Sequence, residues 1–80
     1  MMNPRVLSVQ PTTDFQLVIH FTNQERKVFD MKPYLSIGVF RALQDIALFN
    51  QVKPFNGTAV WPNNLDIDPD TLYLDGEPAN

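Results

Sequence analysis

The sequence predicts an α+β fold: an antiparallel sheet of about five strands in the order β-β-β-α-β-β, one helix packed on one face of the sheet, and a short C-terminal helical turn. Three observations lead to this prediction. Apolar and polar residues alternate over 14–21, which is typical of a half-buried strand. Apolar residues recur at helical spacing over 39–49. Asn56-Gly57 is a strong signal for a hairpin turn.

The first three strands are expected at Arg5–Gln10, where Pro11 ends the strand, at Asp14–Phe21 and at Arg26–Met31. In the second of them every other residue is apolar, so one face is expected to lie in the core: Phe15, Leu17, Ile19 and Phe21. Short turns join the three strands, and consecutive strands joined in this way form a meander.

After the meander we predict a helix from about Ile37 to Asp45 and a further helical turn at Ala47–Phe49, which Asp45 would cap. A last hairpin is expected to follow, with strands over 50–55 and 57–61 on either side of the Asn-Gly turn. We expect this hairpin to join the same sheet.

The whole chain, residues 1–80, is expected to be one domain, because this length leaves no room for a second core. The hydrophobic content of 44% argues against intrinsic disorder. The lack of cysteine excludes disulfides, thiolate metal sites and a cysteine nucleophile. No apolar run approaches about 20 residues, so we expect a cytoplasmic protein without a membrane span or signal peptide.

The acidic C-terminal stretch raises the possibility of a metal site. Four carboxylates match positions 1, 3, 5 and 12 of a calcium loop, namely Asp66, Asp68, Asp70 and Glu77. The sixth position, however, is Thr71 instead of glycine, and Pro69 restricts the backbone inside the run of ligands. Metal binding is therefore not expected.

A helix start explains the same residues better. Asp68 would be the N-cap, Pro69 the first helical residue and Asp70 a favourable charge in the first turn. Elsewhere, His20 is the only histidine and has no companion nearby in sequence, and the three glycines do not form a phosphate loop. We therefore predict no catalytic residue, no cofactor and no enzymatic activity.

The charge distribution favours a protein partner over nucleic acid. The net charge is −3, with five acidic and no basic residues from Asp66 onward, which disfavours direct nucleic-acid binding. The acidic stretch is either a solvated tail or an edge that meets a basic partner. The candidate interaction surface consists of Trp61, Asn63, Asp66, Asp68, Asp70 and Tyr73. Its two aromatic residues, Trp61 and Tyr73, are alternatively residues of the core or of its rim. An exposed sheet edge is another candidate contact region.

Several motifs occur in a fixed order along the chain: Phe29-Asp30, Gly38–Phe40, Asp45–Phe49, and the pair Trp61–Asp66 and Asp68–Tyr73, which read W-P-N-x-x-D and D-P-D-T-L-Y. With these motifs the chain resembles the bacterial domain-of-unknown-function family 2442 over about Arg5–Tyr73. We expect a single-domain member without a helix-turn-helix extension, and frayed ends at 1–4 and 76–80.

Two residues depart from the family pattern. The family usually has glycine in the turn after the second strand, where this chain has Gln24, and usually has glycine after W-P-N, where this chain has Asn64. Asparagine tolerates a left-handed backbone, so we expect Asn64 to keep its turn. Glutamine does so less readily, so the first hairpin is expected to use Asn23 for the positive φ or another turn type.

The resemblance implies little about function, because the family has no established enzymatic activity. Some members resemble proteins that continue into a helix-turn-helix domain, and others occur beside a small domain of unknown function in pairs that look like toxin and antitoxin. We therefore expect a protein-interaction or antitoxin-like domain with a small basic partner encoded nearby. A transcription-associated module and a small-molecule-binding domain are the alternatives, and a homodimer is a further possibility.

Overall fold

The computed structural model describes residues 3–79. The fold is α+β with antiparallel strand pairing, as the sequence predicts. Its elements are β1 (Val6–Pro11), β2 (Gln16–Phe21), β3 (Arg26–Asp30), a 3-10 turn (Lys32–Tyr34), a 3-10 helix (Gly38–Gln44), α1 (Ile46–Phe49), β4 (Lys53–Phe55), β5 (Thr58–Trp61), β6 (Leu65–Ile67), α2 (Pro69–Asp75) and β7 (Glu77–Pro78).

The strands form two sheets, so the prediction of one five-stranded sheet is wrong. The first sheet has the order β1-β2-β3-β7 and the second the order β4-β5-β6. The predicted hairpin exists, but the turn after Trp61 returns the chain as a third strand, so β5 becomes the central strand of a separate sheet. One backbone hydrogen bond, from Val6 N–H to the Gly57 carbonyl (2.9 Å), joins β1 to the hairpin turn.

The separation into two sheets lets both inner faces enter one core. In the first sheet Leu17, Ile19 and Phe21 are fully buried, as their alternation predicts. In the second sheet the inward residues are Ala59, Trp61, Leu65 and Ile67, all at most 8% exposed. A short chain buries more apolar area with two sheets around a common core than with one sheet that is open on a side.

An irregularity in β1 adds to this core. The register shifts between Val6 and Ser8, where β1 carries a bulge. Val6 and Val9, three residues apart, are therefore both buried.

The predicted helix over Ile37–Asp45 is instead a 3-10 helix, followed by only one turn of α-helix. The prediction of one helix packed on a sheet face is therefore wrong. Asp45 has an extended backbone (φ −75°, ψ 110°) that interrupts the helical path. With three residues per turn, side chains three apart align, which brings Leu43 into the core and leaves Val39 68% exposed.

The C-terminal residues close the first sheet. We expected a frayed end at 76–80, but Glu77–Pro78 pairs with Lys27 and Val28 as β7. The Ala79 N–H also donates to the Arg26 carbonyl (2.9 Å). Residues 1, 2 and 80, which belong to the expected frayed ends, lie outside the described residues.

The two turns that depart from the family pattern both use a left-handed backbone. Asn64 has φ 62°, as expected, and Asn63 beside it has φ 69°. In the first hairpin the positive φ falls on Gln24 (73°) instead of Asn23. The Asn23 side chain holds that turn, because its Oδ1 accepts from the Glu25 N–H (3.0 Å) and its amide donates to the Glu25 carboxylate. None of the helices within 3–79 is both long and apolar enough to span a membrane.

Candidate functional site

The outer face of the second sheet forms a groove of about 580 Å³. Strand pairing sets Lys53, Val60 and Asp66 side by side across β4, β5 and β6. Phe55 and Thr58 form the next pair, toward the hairpin turn. All five residues line the groove, because residues paired across antiparallel strands share a face of the sheet.

The floor of this groove is apolar. Val60 is half-buried and Phe55 is 58% exposed, so the groove offers an aliphatic and an aromatic surface to solvent. Thr58 is 8% exposed, and its hydroxyl donates to the Ile67 carbonyl. Its polar group is therefore already satisfied within the sheet.

One end of the groove is the turn that connects β5 to β6. Pro62, Asn63 and Asn64 line it. The left-handed backbone of the two asparagines makes the reversal tight. Both asparagines are exposed, so their side-chain amides are available as donors and acceptors.

Trp61 belongs to the core, which is one of the two alternatives that its sequence position left open. It is 2% exposed. Its indole N–H donates to the Phe49 carbonyl (3.0 Å), and its ring lies 6.2 Å from the Phe49 ring. Trp61 supports the groove from below and is not an exposed contact residue.

The acidic residues from Asp66 onward remain on the surface. Five carboxylates are exposed: Asp66, Asp68, Asp70, Asp75 and Glu77. Within the part of the chain that is described, the salt bridges are those of Lys32, with Asp14 (3.6 Å) and Asp30 (3.4 Å). None of the five carboxylates is therefore neutralised by a lysine or arginine in residues 3–79.

Asp68 has a structural position within this acidic run. It lies at the N-cap of α2, its carboxylate accepts from the Asp70 N–H (3.2 Å), and Pro69 is the first helical residue. Thr71 Oγ1 also donates to it (3.4 Å). Asp45 holds the same position before α1 and accepts from the Ala47 N–H (3.0 Å). In residues 3–79 no three side chains of the metal-binding types converge on a common point.

Tyr73 lies away from the groove and fastens α2 to the first sheet. Its hydroxyl donates to the Glu25 carboxylate (2.5 Å), and the Lys27 ammonium lies 3.8 Å from the centre of its ring. Lys27 also donates to the Tyr73 carbonyl, and the ring meets Phe21 edge-on (5.1 Å).

This contact shifts two titrations. The hydrogen bond from Tyr73, with a second from Asn23, lowers the pKa of Glu25 below its ordinary value. The same bond to Glu25 raises the pKa of Tyr73, because the carboxylate favours the protonated phenol. We name this arrangement of Glu25, Lys27 and Tyr73 the α2 clasp.

The structure thus divides the surface that the sequence predicts. Asn63 and Asp66 line the groove, Asp68 and Asp70 lie at the start of α2, and Tyr73 is held by the clasp. Sequence reasoning missed Phe55 and Val60. A signal for them exists, because a two-residue Asn-Gly turn sets 55 opposite 58 and 53 opposite 60, which assigns these side chains to the outer face.

The strand pairing also gives His20 a neighbour that is distant in sequence. Ser8 lies opposite His20, and a hydrogen bond joins Ser8 Oγ to His20 Nδ1 (3.3 Å). Nucleophilic catalysis needs a third group that orients the histidine. Among residues 3–79, no carboxylate is hydrogen-bonded to His20.

The comparisons with known proteins agree with the motifs. A family described as "Protein of unknown function (DUF2442)" matches residues 6–77. The searches of curated proteins and of solved structures gave no match. The match extends from the start of β1 to the start of β7, so it includes both sheets, the groove and α2. The chain therefore belongs to the family of proteins of unknown function DUF2442.

Proposed function

We propose that this protein is a non-catalytic protein-interaction domain that binds a basic protein partner through an acidic surface on β6 and α2. We define this acidic surface by its carboxylates, Asp66, Asp68, Asp70 and Asp75. One observation carries the proposal: all four are exposed, and no lysine or arginine in the described residues pairs with them.

Electrostatics explains why such a surface suits a partner. Like charges that are concentrated on one short segment repel each other, and nothing in residues 3–79 offsets the repulsion with an ion pair. A basic protein would offset it and would also be steered to the site by the same field. The family resemblance supports a specific form of this role, in which the partner is a small basic protein encoded nearby and this chain acts as its antitoxin.

The test measures binding of the adjacent reading frame's product by calorimetric titration. A triple variant removes three carboxylates without touching the Asp68 cap: Asp66→Asn, Asp70→Asn and Asp75→Asn. Exposed ion pairs contribute about 0.2–1 kcal/mol each, so we expect a loss of affinity of roughly threefold to a hundredfold at low salt. Raising the salt concentration should reduce the difference between variant and wild type.

A matched control compares single substitutions: Asp14→Asn removes an exposed carboxylate from the loop between β1 and β2, whereas Asp66→Asn removes one from the acidic surface. The Asp14 variant should keep its affinity within about twofold of wild type, because its carboxylate pairs with Lys32 and belongs to neither β6 nor α2. Equal losses in both variants, or no complex with the wild-type chain, would refute the proposal. For the antitoxin role, expression of the neighbouring product alone should arrest growth, and co-expression of this chain should restore it.

A second function has an observation in its favour. The groove at the W-P-N turn has a volume of about 580 Å³, within the range of about 300–1,000 Å³ that is typical of ligand sites. If the domain binds small molecules, a fragment screen by NMR should give hits that shift Val60 and Asn63. A screen without hits at the groove would remove this alternative. For the transcription-associated alternative, retardation of DNA in a gel-shift assay is the deciding result.

A further inference from the structure

We propose that the groove on the second sheet is the anchor pocket of this interface, and that it takes an aromatic or aliphatic side chain next to a basic residue in an extended segment of the partner. This inference rests on the proposed function, because it assigns a role to the groove within the same complex. Four features of the groove support it.

The first feature is the exposure of Phe55. Its side chain is 58% exposed and lies in the concave surface beside half-buried Val60. Among the six large apolar side chains that are exposed in residues 3–79, Phe55 is the one that lines this groove. Aromatic residues in concave surfaces supply a large apolar contact area and are common anchors at the centre of protein interfaces.

The second feature is the lack of an unsatisfied polar group on the floor. The Thr58 hydroxyl already donates to the Ile67 carbonyl. A hydrogen-bond acceptor that entered the groove would therefore lose its water without finding a free donor on the floor. An apolar side chain incurs no such cost, so the floor selects an apolar occupant.

The third feature is the order of charges across the strands. Lys53, Val60 and Asp66 lie in one row, with opposite charges on the two sides of an apolar centre. Neighbouring strands are about 4.8 Å apart, so the two charged residues are separated by roughly 10 Å at the backbone. An apolar side chain on Val60 would place an adjacent basic residue of the partner at Asp66, while Lys53 repels a cation on the other side.

The fourth feature is continuity with the acidic surface. Asp66 lines the groove and is also the first carboxylate of the acidic surface, which continues to Asp68 and Asp70 at the start of α2. At the end of the groove, the exposed amides of Asn63 and Asn64 can bond to the backbone of an extended segment. Charge complementarity therefore commits the occupant to a basic, apolar peptide segment.

The experiment titrates synthetic nine-residue peptides into the isotope-labelled protein and follows its NMR spectrum. The first peptide alternates lysine with tryptophan and leucine. The second replaces each apolar residue by serine, and the third replaces each lysine by glutamate. We expect the first peptide to shift Val60, Asn63 and Asp66, and to bind at least about tenfold more tightly than either of the others.

Two variants test the anchor directly. Phe55→Ser should weaken binding of the first peptide about tenfold or more, since anchor residues dominate binding energy. Val39→Ser is the matched control, because Val39 is 68% exposed in the 3-10 helix and belongs to neither the groove nor the acidic surface. The affinity of this variant should stay within about twofold of wild type. Retention of the Trp61 indole signal shows that both variants are folded.

Each outcome distinguishes this inference from the proposed function. If the serine peptide binds at α2 as tightly as the first peptide, or Phe55→Ser changes nothing, the anchor is wrong while the acidic surface stands. If the glutamate peptide binds equally well, the charge selection is wrong. Shifts at the groove that depend on protein concentration alone indicate a second copy as the occupant and overturn the inference. If neither lysine peptide nor the adjacent basic product binds, both proposals fail.

Discussion

The two sheets have similar inner faces and different outer faces. Inside, both contribute fully buried apolar residues to one core. Outside, the row of the first sheet at the β2–β3 turn is polar: Ser8, His20 and Arg26 lie side by side, and a hydrogen bond joins the first two. The next row on that face, Gln10, Val18 and Val28, has two half-buried valines in the middle of the sheet. The row that crosses all three strands of the second sheet is an apolar residue between opposite charges, Val60 between Lys53 and Asp66.

The same alternation of inward-facing and outward-facing residues along the strands therefore gives the two sheets different outer faces. The outer face of the first sheet satisfies part of its polar groups internally, whereas the outer face of the second leaves Phe55 exposed in a groove. The groove of the proposed interface therefore lies on the smaller sheet. The two sheets are coupled by their common core and by α2, which leads from β6 in the second sheet to β7 in the first.

The largest expected effect tests whether the inner faces form one cooperative core. Phe29→Ala in the first sheet and Trp61→Ala in the second should each lower the free energy of unfolding by about 3–5 kcal/mol, because both side chains are 2% exposed. The milder pair Ile19→Val and Ile67→Val should each cost about 0.5–1.5 kcal/mol and keep the protein folded. Urea unfolding followed by circular dichroism measures these values. Two separate transitions in either pair would mean that the sheets fold independently.

The next prediction concerns closure of the first sheet by β7. A Cβ at Gly76 would lie 2.7 Å from the Leu72 carbonyl oxygen and 3.1 Å from Lys27 Cβ. Gly76→Ala should therefore lower the free energy of unfolding by about 2 kcal/mol, since the tight contact must be relieved by movement of α2 or β3. Gly38→Ala is the control, because Gly38 has open space around it and only a positive φ of 50°.

The Gly38 substitution should cost about 1 kcal/mol, the cost of a left-handed backbone alone. Thermal unfolding compares the two variants. If Gly76→Ala costs no more than Gly38→Ala, the close approach of α2 to the first sheet is not tight.

A smaller effect is expected at the start of α2. Asp68→Ala removes the carboxylate that accepts from the Asp70 N–H and should lower the free energy of unfolding by about 1 kcal/mol. Asp66→Ala removes a neighbouring exposed carboxylate that caps no helix, so its effect should stay within about 0.5 kcal/mol. Equal effects of the two substitutions would show that repulsion among the carboxylates, and not the cap, sets the stability of this region.

The smallest effect is the pH dependence of the α2 clasp. Tyr73 lowers the pKa of Glu25, so the clasp stabilises the fold above the ordinary pKa of that carboxyl, 4.5, and loses its effect as pH falls through the lowered value. Glu25 raises the pKa of Tyr73, so the contribution of the phenol is present below its ordinary pKa of 10.0 and is lost as pH rises through the raised value.

Tyr73→Phe removes this hydrogen bond and keeps the ring over Lys27. The difference in unfolding free energy between wild type and variant should be largest from about pH 5 to about pH 9 and should diminish on both sides. NMR titration of the Glu25 side chain should give a higher pKa in the variant. An unchanged pKa of Glu25 would exclude the clasp as its cause.

Local patterns determined much of the fold from the sequence alone. The alternation over Phe15–Phe21 assigned the core face of β2, Asn56-Gly57 assigned the second hairpin, and Asp68-Pro69 assigned the start of α2. These features depend on backbone geometry and on side chains within a few residues, so they do not need the rest of the chain.

Only the tertiary structure decided how these pieces assemble. The groove beside Phe55 and the contact of Glu25 with Tyr73 join residues that are distant in sequence. The division into two sheets and the 3-10 helix in place of an α-helix depend on which apolar side chains a common core can accept. Local preference is weak compared with burial in a chain of this length, so the packing of two inner faces against each other determined the outer surfaces as well.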